Sequence, residues 1–431
     1  MALSAPSSHA RDDGRGRLLA LAERGFLALS ALGGFYFAFA YVSTNPALFE
    51  TGRAALGLLR TGTLSDPYAI PTGPTAHVPV LTVLKLAALF RLLGENSEGA
   101  RMVLSLISAA LFLAGAWCLF RLGARHRLSP PARLAVLAVL LLTVWQLFHC
   151  VVLYRQVDQP AAAALLIGGW LVWAGVREAP GMRGMALLGL LSGIAVLLSP
   201  SVFLALGLGA AAVVLAAPWR NRIPLALAYG AVLALFVVPW VLRNQLELGA
   251  PVLLRSNFGL ELWFGNAPES NGLTWVGSHW LLHPSASEAE SLRVREMGEL
   301  AYIAELRARA VAVILEDPAR FVALTLRRAW HLLAFLPRPP WSWSPGVPMP
   351  VLEASAALFG LLKVAALATL LVLGRWRFEA LAFFVAPLVP FMLTHVYLRY
   401  TFLSYFASVM VIGLAAEAVA GHVRARRPAV A

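Results

Sequence analysis

Met102-Val103-Leu104-Ser105-Leu106-Ile107-Ser108-Ala109-Ala110-Leu111-Phe112-Leu113-Ala114-Gly115-Ala116-Trp117-Cys118-Leu119-Phe120, bounded by Arg101 and Arg121, decides what kind of molecule this chain makes. The run has no charge, and as a helix at about 1.5 Å per residue it is long enough to cross the hydrocarbon of a bilayer. Similar blocks run from Gly25 to Val42, Ala132 to Val152, Gln159 to Val176, Gly184 to Leu198, Ser201 to Ala217, Pro224 to Leu242, Val351 to Leu373, Ala380 to His395 and Thr401 to Ala420. Ten spans are expected in an all-α, polytopic helical membrane protein. Composition agrees, with 59% hydrophobic residues, 13% charged and a mean hydropathy of +0.73.

The formal charge of +13 sits mainly in short arginine clusters between the blocks, not on one face of a soluble domain. That arrangement marks topology and excludes nucleic acid as a partner. Cys118 and Cys150 fall in spans near opposite faces, so no disulfide is expected. The polar start with Arg11, Arg15, Arg17 and Arg24 ahead of Gly25 has the form of a signal anchor, and although Ala38-Phe39-Ala40 resembles a cleavage site, the span is long enough to be retained.

Two stretches, Val78 to Leu93 and Pro318 to Leu336, are shorter or interrupted by Lys85, Arg91, Arg320, Arg327 and Arg328. If both lie at the interface, the N-terminus and the segments Arg121 to Arg133, Arg177 to Arg183, Arg220 to Arg222, Arg375 to Arg377 and Arg424 to Arg427 share the cytoplasm with seventeen arginines. If both cross, eight of these move outside and Glu50 parts from Asp158. The positive-inside rule selects the first arrangement, with both termini cytoplasmic. It divides the chain into an N-terminal transmembrane module (1–242), an outer insert (243–350) and C-terminal transmembrane helices (351–431). In the insert, Ser287-Glu288-Ala289-Glu290 is a capping box and Asp317-Pro318 starts a second helix. Trp330, Trp341 and Trp343 are interfacial aromatics.

The stretch from Ser43 to Pro79 follows the first span directly, so Glu50, Arg53, Asp66 and His77 are held beside the outer surface, suited to a lipid-borne substrate. Glu50 has two readings, a proton acceptor or a helix-end acid paired with Arg53. Asp158 orients a substrate or ligates a metal, or it caps the helix that Pro160 begins. Arg243 and Arg399 carry the fork that grips phosphate, but interfacial arginines also reach for lipid headgroups. His77, His279 and His283 match no specific metal spacing. Lys363, mid-span, is costly there and has no evident partner.

Pro239-Trp240-Val241-Leu242-Arg243-Asn244, Asn257-Phe258-Gly259-Leu260-Glu261-Leu262-Trp263-Phe264-Gly265-Asn266, His283-Pro284, Met297-Gly298-Glu299-Leu300-Ala301-Tyr302 and Leu398-Arg399-Tyr400 resemble, in order, the bacterial GT-C membrane glycosyltransferases. Within them the likeness is to the group of the protein mannosyltransferases and the lipid A aminoarabinose transferase. The resemblance implies an inverting transfer of a sugar from a polyprenyl phosphate donor to a lipid, glycan or protein acceptor at the outer face of the cytoplasmic membrane, with the insert periplasmic; a divalent metal is a candidate cofactor through the ligating reading of Asp158. The family's acids in the first two outer loops correspond to Glu50 and Asp158, the expected catalytic residues, and Arg53, Asp66, His77, Arg243, Asn244, Arg399 and Tyr400 are the expected substrate contacts beside them. The chain departs from the family at Phe49, where relatives have Asp, in lacking the Tyr after Glu50, and at Ser199, where many have a basic residue. A polymerase or ligase of lipid-linked glycans, a carrier and an inactive relative stay open as alternatives.

Overall fold

The computed structural model describes residues 8–44, 48–273, 281–334 and 346–426. Asn45, Pro46 and Ala47 within the Ser43 to Pro79 stretch, and His279, Leu336, Trp341, Trp343 and Arg427, lie outside the described residues. The fold is helical. Among the described residues, extended backbone pairs only at two isolated bridges, Ser65 with Pro74 and Leu273 with Val396.

In chain order, α1 (Ser8–Ala40) is followed by two short helices, α2 (Glu50–Thr61) and α3 (Val80–Leu93), and then by the long α4 (Glu98–Arg125). α5 (Pro130–Leu142) bends by 57° into α6 (Trp145–Leu153). α7 (Gln159–Glu178), α8 (Met182–Leu198), α9 (Pro200–Ala216) and α10 (Trp219–Leu248) complete the first part of the bundle. The insert carries α11 (Phe258–Asn266), α12 (Glu288–Met297), α13 (Glu299–Glu316) and α14 (Pro318–Leu333). α15 (Met349–Leu373) leads to a stretch that opens with α16 (Arg377–Glu379) and closes with α17 (Val389–Leu393), and α18 (Leu398–Leu403) precedes α19 (Tyr405–Arg426).

Among the described residues, six helices (α1, α4, α7, α10, α15 and α19) are long and apolar enough to cross a membrane, and α5 with α6 makes a seventh if the bent pair is one span. α8 and α9 have 17 residues each, roughly 25 Å at the helical rise. Each of the ten apolar blocks thus has a helical counterpart, but Ala380 to His395 is not one continuous helix. Its winding passes through a π turn and a 3-10 turn before α17, because Pro387 and Pro390 cannot donate to the backbone ladder. The two disputed stretches are 14 and 16 residues long in α3 and α14, short of a bilayer's roughly 30 Å. α14 buries Leu324, Arg328 and Leu332 at four-residue intervals and exposes Val322, Leu326 and Trp330. That is the pattern of a helix lying on a surface.

α7 runs through the centre, packed by α4, α8, α9 and α19. Its Trp170 and Trp173 are wholly buried, and Trp170 stacks on Phe383 at 5.1 Å. α10 lies at the rim and meets α8 where Gly189 faces the Tyr229 carbonyl and Gly193 faces Phe236, too close in both cases for a Cβ. Small residues let backbones approach in this way within a bilayer. Lys363 finds its partner in tertiary structure: Nζ donates to the Leu332 carbonyl at 3.1 Å and lies over the Phe359 ring, joining α15 to the end of α14.

The arginine-rich segments gather at one end of the bundle. Glu379 meets Arg177 and His126, Arg125 meets Glu178, Arg133 meets Glu23, and Glu417 meets Arg424 and the Ser129 N–H. α2, α3, the segment Tyr154 to Asp158 and the insert gather at the other.

Candidate active site

α2 begins at Glu50, after Phe49 in extended conformation, so the carboxylate sits in the first turn, where the helix dipole favours negative charge. Long-range contacts fix its surroundings. Thr51 Oγ1 donates to the Gln156 carbonyl at 3.1 Å, Gln156 Nε2 donates to Asn96 Oδ1 at 3.2 Å, and Lys85 Nζ donates to the Arg155 carbonyl at 3.3 Å. These bonds set the loop carrying Asp158 against the start of α2. From the other side, Glu299 accepts from Ala76 N–H at 2.8 Å, Ser256 Oγ at 2.7 Å and Thr75 Oγ1, locking the His77 loop to the insert.

Glu50 is the centre of a polar cluster. His77 Nε2 lies 3.3 Å from Oε2, His283 Nε2 lies 3.6 Å from Oε1, and Ser285 Oγ donates to Oε1. The Glu50 side chain keeps 21% exposure while His77 has none. Burial pushes the Glu50 carboxyl up, but His77, His283 and the Ser285 hydroxyl outweigh it and hold the group well below the ordinary carboxylate range. His77 shows the reciprocal effect: burial lowers its pKa, the Glu50 charge raises it further, and the net shift is upward. For His283, burial wins over Glu50 and Glu261, so its pKa falls and the ring stays neutral.

A second pair stands beside the first. Glu261 on α11 lies 3.2 Å from His395 Nδ1 and accepts from Asn257 Nδ2 at 3.0 Å. Burial raises its pKa, but His395, His283 and His77 bring it below the usual value. Phe264 packs its ring edge to face against both His283 and His395, at 5.3 and 5.1 Å.

Both carboxylates line a cavity of about 470 Å³ whose wall also includes Asp158, Arg255, Arg399 and Tyr400. A smaller neighbour of about 450 Å³ shares Phe49, Glu50, Glu261, His395, Arg399 and Tyr400 and adds Arg53, His283 and Tyr397. One flank of the larger cavity is apolar, formed by Phe203 and Leu204 on α9 and by Val389, Pro390 and Phe391. Arg399 sits among the rings of Phe49, Tyr397 and Tyr400 at 4.8 to 5.6 Å, and its buried Nε has no hydrogen-bond partner among the described residues. Burial works against its charge, yet Tyr400, Tyr397, Asp158 and Glu50 hold its pKa above the ordinary arginine value.

The structure thus brings Glu50, His77, Asp158, Arg53, Arg399 and Tyr400 to one place. Arg53 NH1 donates to the Ser285 carbonyl at 2.9 Å, which fastens the insert beside Glu50. Three expected residues stand elsewhere. Arg243 donates to the Thr75 and Leu64 carbonyls at 2.7 and 2.9 Å and lies over Trp240. Its neighbour Asn244 is buried, bonded to Arg243 and to the Val252 carbonyl. Asp66, in left-handed backbone, accepts from the Thr72 and Gly73 N–H groups and from Ser65, closing its own loop. Arg243 and Asp66 shape the loop between α2 and α3, Asn244 braces Arg243 against the start of the insert, and none of the three lines the Glu50 cavities.

Sequence reasoning did not single out Glu261, His395, Arg255 or Ser285. Glu261 is the one acid in an otherwise apolar stretch, and His395 ends an apolar block. Both are signals of a buried polar function, but nothing local pairs them.

Glu50, His77 and His283 have ligand atoms within 4.8 Å of one another. Two imidazoles and a carboxylate suit a zinc-class ion better than magnesium, so the residue types and spacing fit a divalent metal. The Ser285 N–H donates to His283 Nδ1 at 3.1 Å. That bond puts the proton of neutral His283 on Nε2, and ligation at Nε2 would displace it.

No protein-family model matches the chain, and no curated protein matches it. A solved structure, the archaeal oligosaccharyltransferase AglB from Archaeoglobus fulgidus in complex with an inhibitory peptide and a dolichol-phosphate, aligns over 91% of this chain and 50% of its own, with 13% sequence identity and a TM-score of 0.48. The chain therefore spans about half the length of that protein.

Proposed function

We propose that this chain is an integral-membrane glycosyltransferase that moves a sugar, with inversion, from a polyprenyl phosphate donor to an acceptor hydroxyl at the outer face of the cytoplasmic membrane. The observation that carries the reading is the charge pattern of one cavity. Glu50 and Glu261, both held ionised, face the same space as the Arg399 guanidinium, beside an apolar flank.

In the proposed reaction the acceptor oxygen attacks the anomeric carbon, the bond from that carbon to the phosphate oxygen breaks, and the electron pair leaves on the prenyl phosphate. Arg399 offers paired donors to the phosphate as its charge grows. Glu50 takes the acceptor's proton, and Glu261 adds negative charge near a sugar carbon that becomes cationic at the transition state. Asp158 orients the acceptor from the facing loop. A divalent ion held by Glu50, His77 and His283 would supply Lewis-acid polarisation when bound. The apolar flank suits the first isoprene units of the donor.

The test is donor-dependent transfer by the purified protein, followed as release of prenyl phosphate from a polyprenyl phosphate sugar. Arg399→Lys keeps the charge and loses the fork, so the KM for donor should rise about 10-fold or more at normal expression. An unchanged donor titration removes Arg399 from the phosphate role, and no release with any polyprenyl phosphate sugar rejects the donor class.

A further inference from the structure

A second polar cavity lies at the arginine-rich end. Its volume is about 550 Å³, and its wall is formed by Trp173 and Arg177 at the end of α7, Ala212, Val213 and Ala216 on α9, and the turn Gly374 to Glu379. It is far from the Glu50 site. Gln159 at the start of α7 lines the first cavity and Arg177 near its end lines the second, so they stand roughly 27 Å apart along the axis, close to the thickness of a hydrocarbon core. α9 repeats the relation, with Ser201 at one cavity and Ala216 at the other.

Charge and chemistry at this end are lopsided. Glu379 is buried to 1% and already engaged, with Arg177 NH1 at 2.5 Å from one oxygen and His126 Nε2 at 3.1 Å from the other. Among the described residues, neither Arg375 nor Arg377 has a carboxylate within ion-pair distance. Both are exposed at the cavity mouth. Arg375 is fixed over the Trp376 ring at 3.9 Å, and the Arg177 guanidinium lies over Trp173 at 5.2 Å. Three guanidinium groups against one neutralised carboxylate make an anion site. Its other wall is apolar, with the small residues of α9 and the partly exposed Phe378.

We infer that this cavity binds the phosphodiester headgroup of an anionic phospholipid in the leaflet opposite the active site, with Arg375 and Arg377 on the phosphate and the acyl chains descending along α9. A basic pocket between transmembrane helices at headgroup depth has the chemistry such lipids need. The apolar wall favours a lipid over free phosphate, which would gain nothing from it. The inference does not depend on which reaction the Glu50 site performs.

The experiment is native mass spectrometry and thermal unfolding of the full-length protein in detergent, titrated at fixed ionic strength with phosphatidylglycerol, phosphatidylcholine or inorganic phosphate. Wild type should retain phosphatidylglycerol in preference to phosphatidylcholine and be stabilised by it, with no response to millimolar phosphate. Arg375→Gln with Arg377→Gln should weaken that binding by roughly 30-fold, about five-fold for each lost cation and compounded. Arg222→Gln is the control, since Arg222 belongs to another arginine cluster and is satisfied by the Ala217 and Leu215 carbonyls; it should keep the preference. Equal retention of the two lipids by wild type, or equal loss in the control and the double variant, overturns the site. Protection by inorganic phosphate as strong as that by phosphatidylglycerol overturns the lipid assignment.

Discussion

Glu50 is a carboxylate whose position, at the head of α2 and between two imidazoles, decides its chemistry. If it accepts the proton, Glu50→Gln should reduce transfer per folded molecule by about 10²-fold to 10⁴-fold. If it serves only as an anchor for Ser285 and the histidines, the same change should lower the melting temperature and leave turnover of the folded fraction intact. Single-turnover transfer normalised to folded protein separates the two. The His77 partnership carries a pH signature. The pKa of His77 is raised above 6.5, so the stability from its charged form is fully present below that value and lost as pH climbs through the raised one. Glu50 is depressed below 4.5, so its contribution is present above that value and lost as pH falls through the depressed one. The pair therefore stabilises most between about pH 5 and 6.5. The gap in melting temperature between wild type and His77→Gln should be widest near pH 6 and shrink as pH rises into the alkaline range. A gap of constant size across that range would show that His77 is not charged in the fold.

α11 and α14 form the frame that holds the second carboxylate. Arg328, fully buried on α14, donates to the Met392 and Leu393 carbonyls at 3.2 and 3.1 Å, to Asn266 Oδ1 at 2.9 Å and to the Gly265 carbonyl. Arg320 gathers the Asn266, Ala267, Pro268 and Ser270 carbonyls. Two arginines that interrupt the apolar pattern of α14 thereby bind the end of α11, where backbone carbonyls lack helical partners. α11 also presses directly on the His395 loop, since a Cβ on Gly265 would lie 1.7 Å from the Thr394 carbonyl oxygen. Gly265→Ala must push the two apart and stretch the Glu261 to His395 contact. We expect about 1–3 kcal/mol of destabilisation together with a fall in transfer per folded molecule. Stability loss with unchanged transfer would mean that this pair has no part in the reaction.

At the scale of the whole molecule, the arginine-rich segments meet at one end and the Glu50 cavities lie at the other, the arrangement the positive-inside rule anticipates. In a protein with Cys118 and Cys150 replaced by alanine, single cysteines at Thr61 and Glu95, both exposed, should react with an impermeant thiol reagent added outside, and one at Ala124 should not. Thr51 and Gln156 lie nearer the site but are buried at 6% and 1%, so they are unsuited to the probe. Labelling of Ala124 from outside would invert the topology and move the proposed reaction to the other face. What the sequence determined by itself is whatever depends on local runs: helical class, the apolar blocks, the surface character of α14, and the placing of Glu50 and Asp158 in segments between apolar blocks, all of which follow from hydropathy and charge within a few turns of chain. Tertiary structure alone decided which polar groups meet. Glu261 and His395 are apolar-flanked residues far apart in sequence, and Arg243 and Asp66 look as eligible as Arg399 until their donors and acceptors are found on neighbouring backbone. An ionisable residue announces its cost locally, but its partner is fixed by helix packing over a hundred residues away, and that pairing separates a site from a strut.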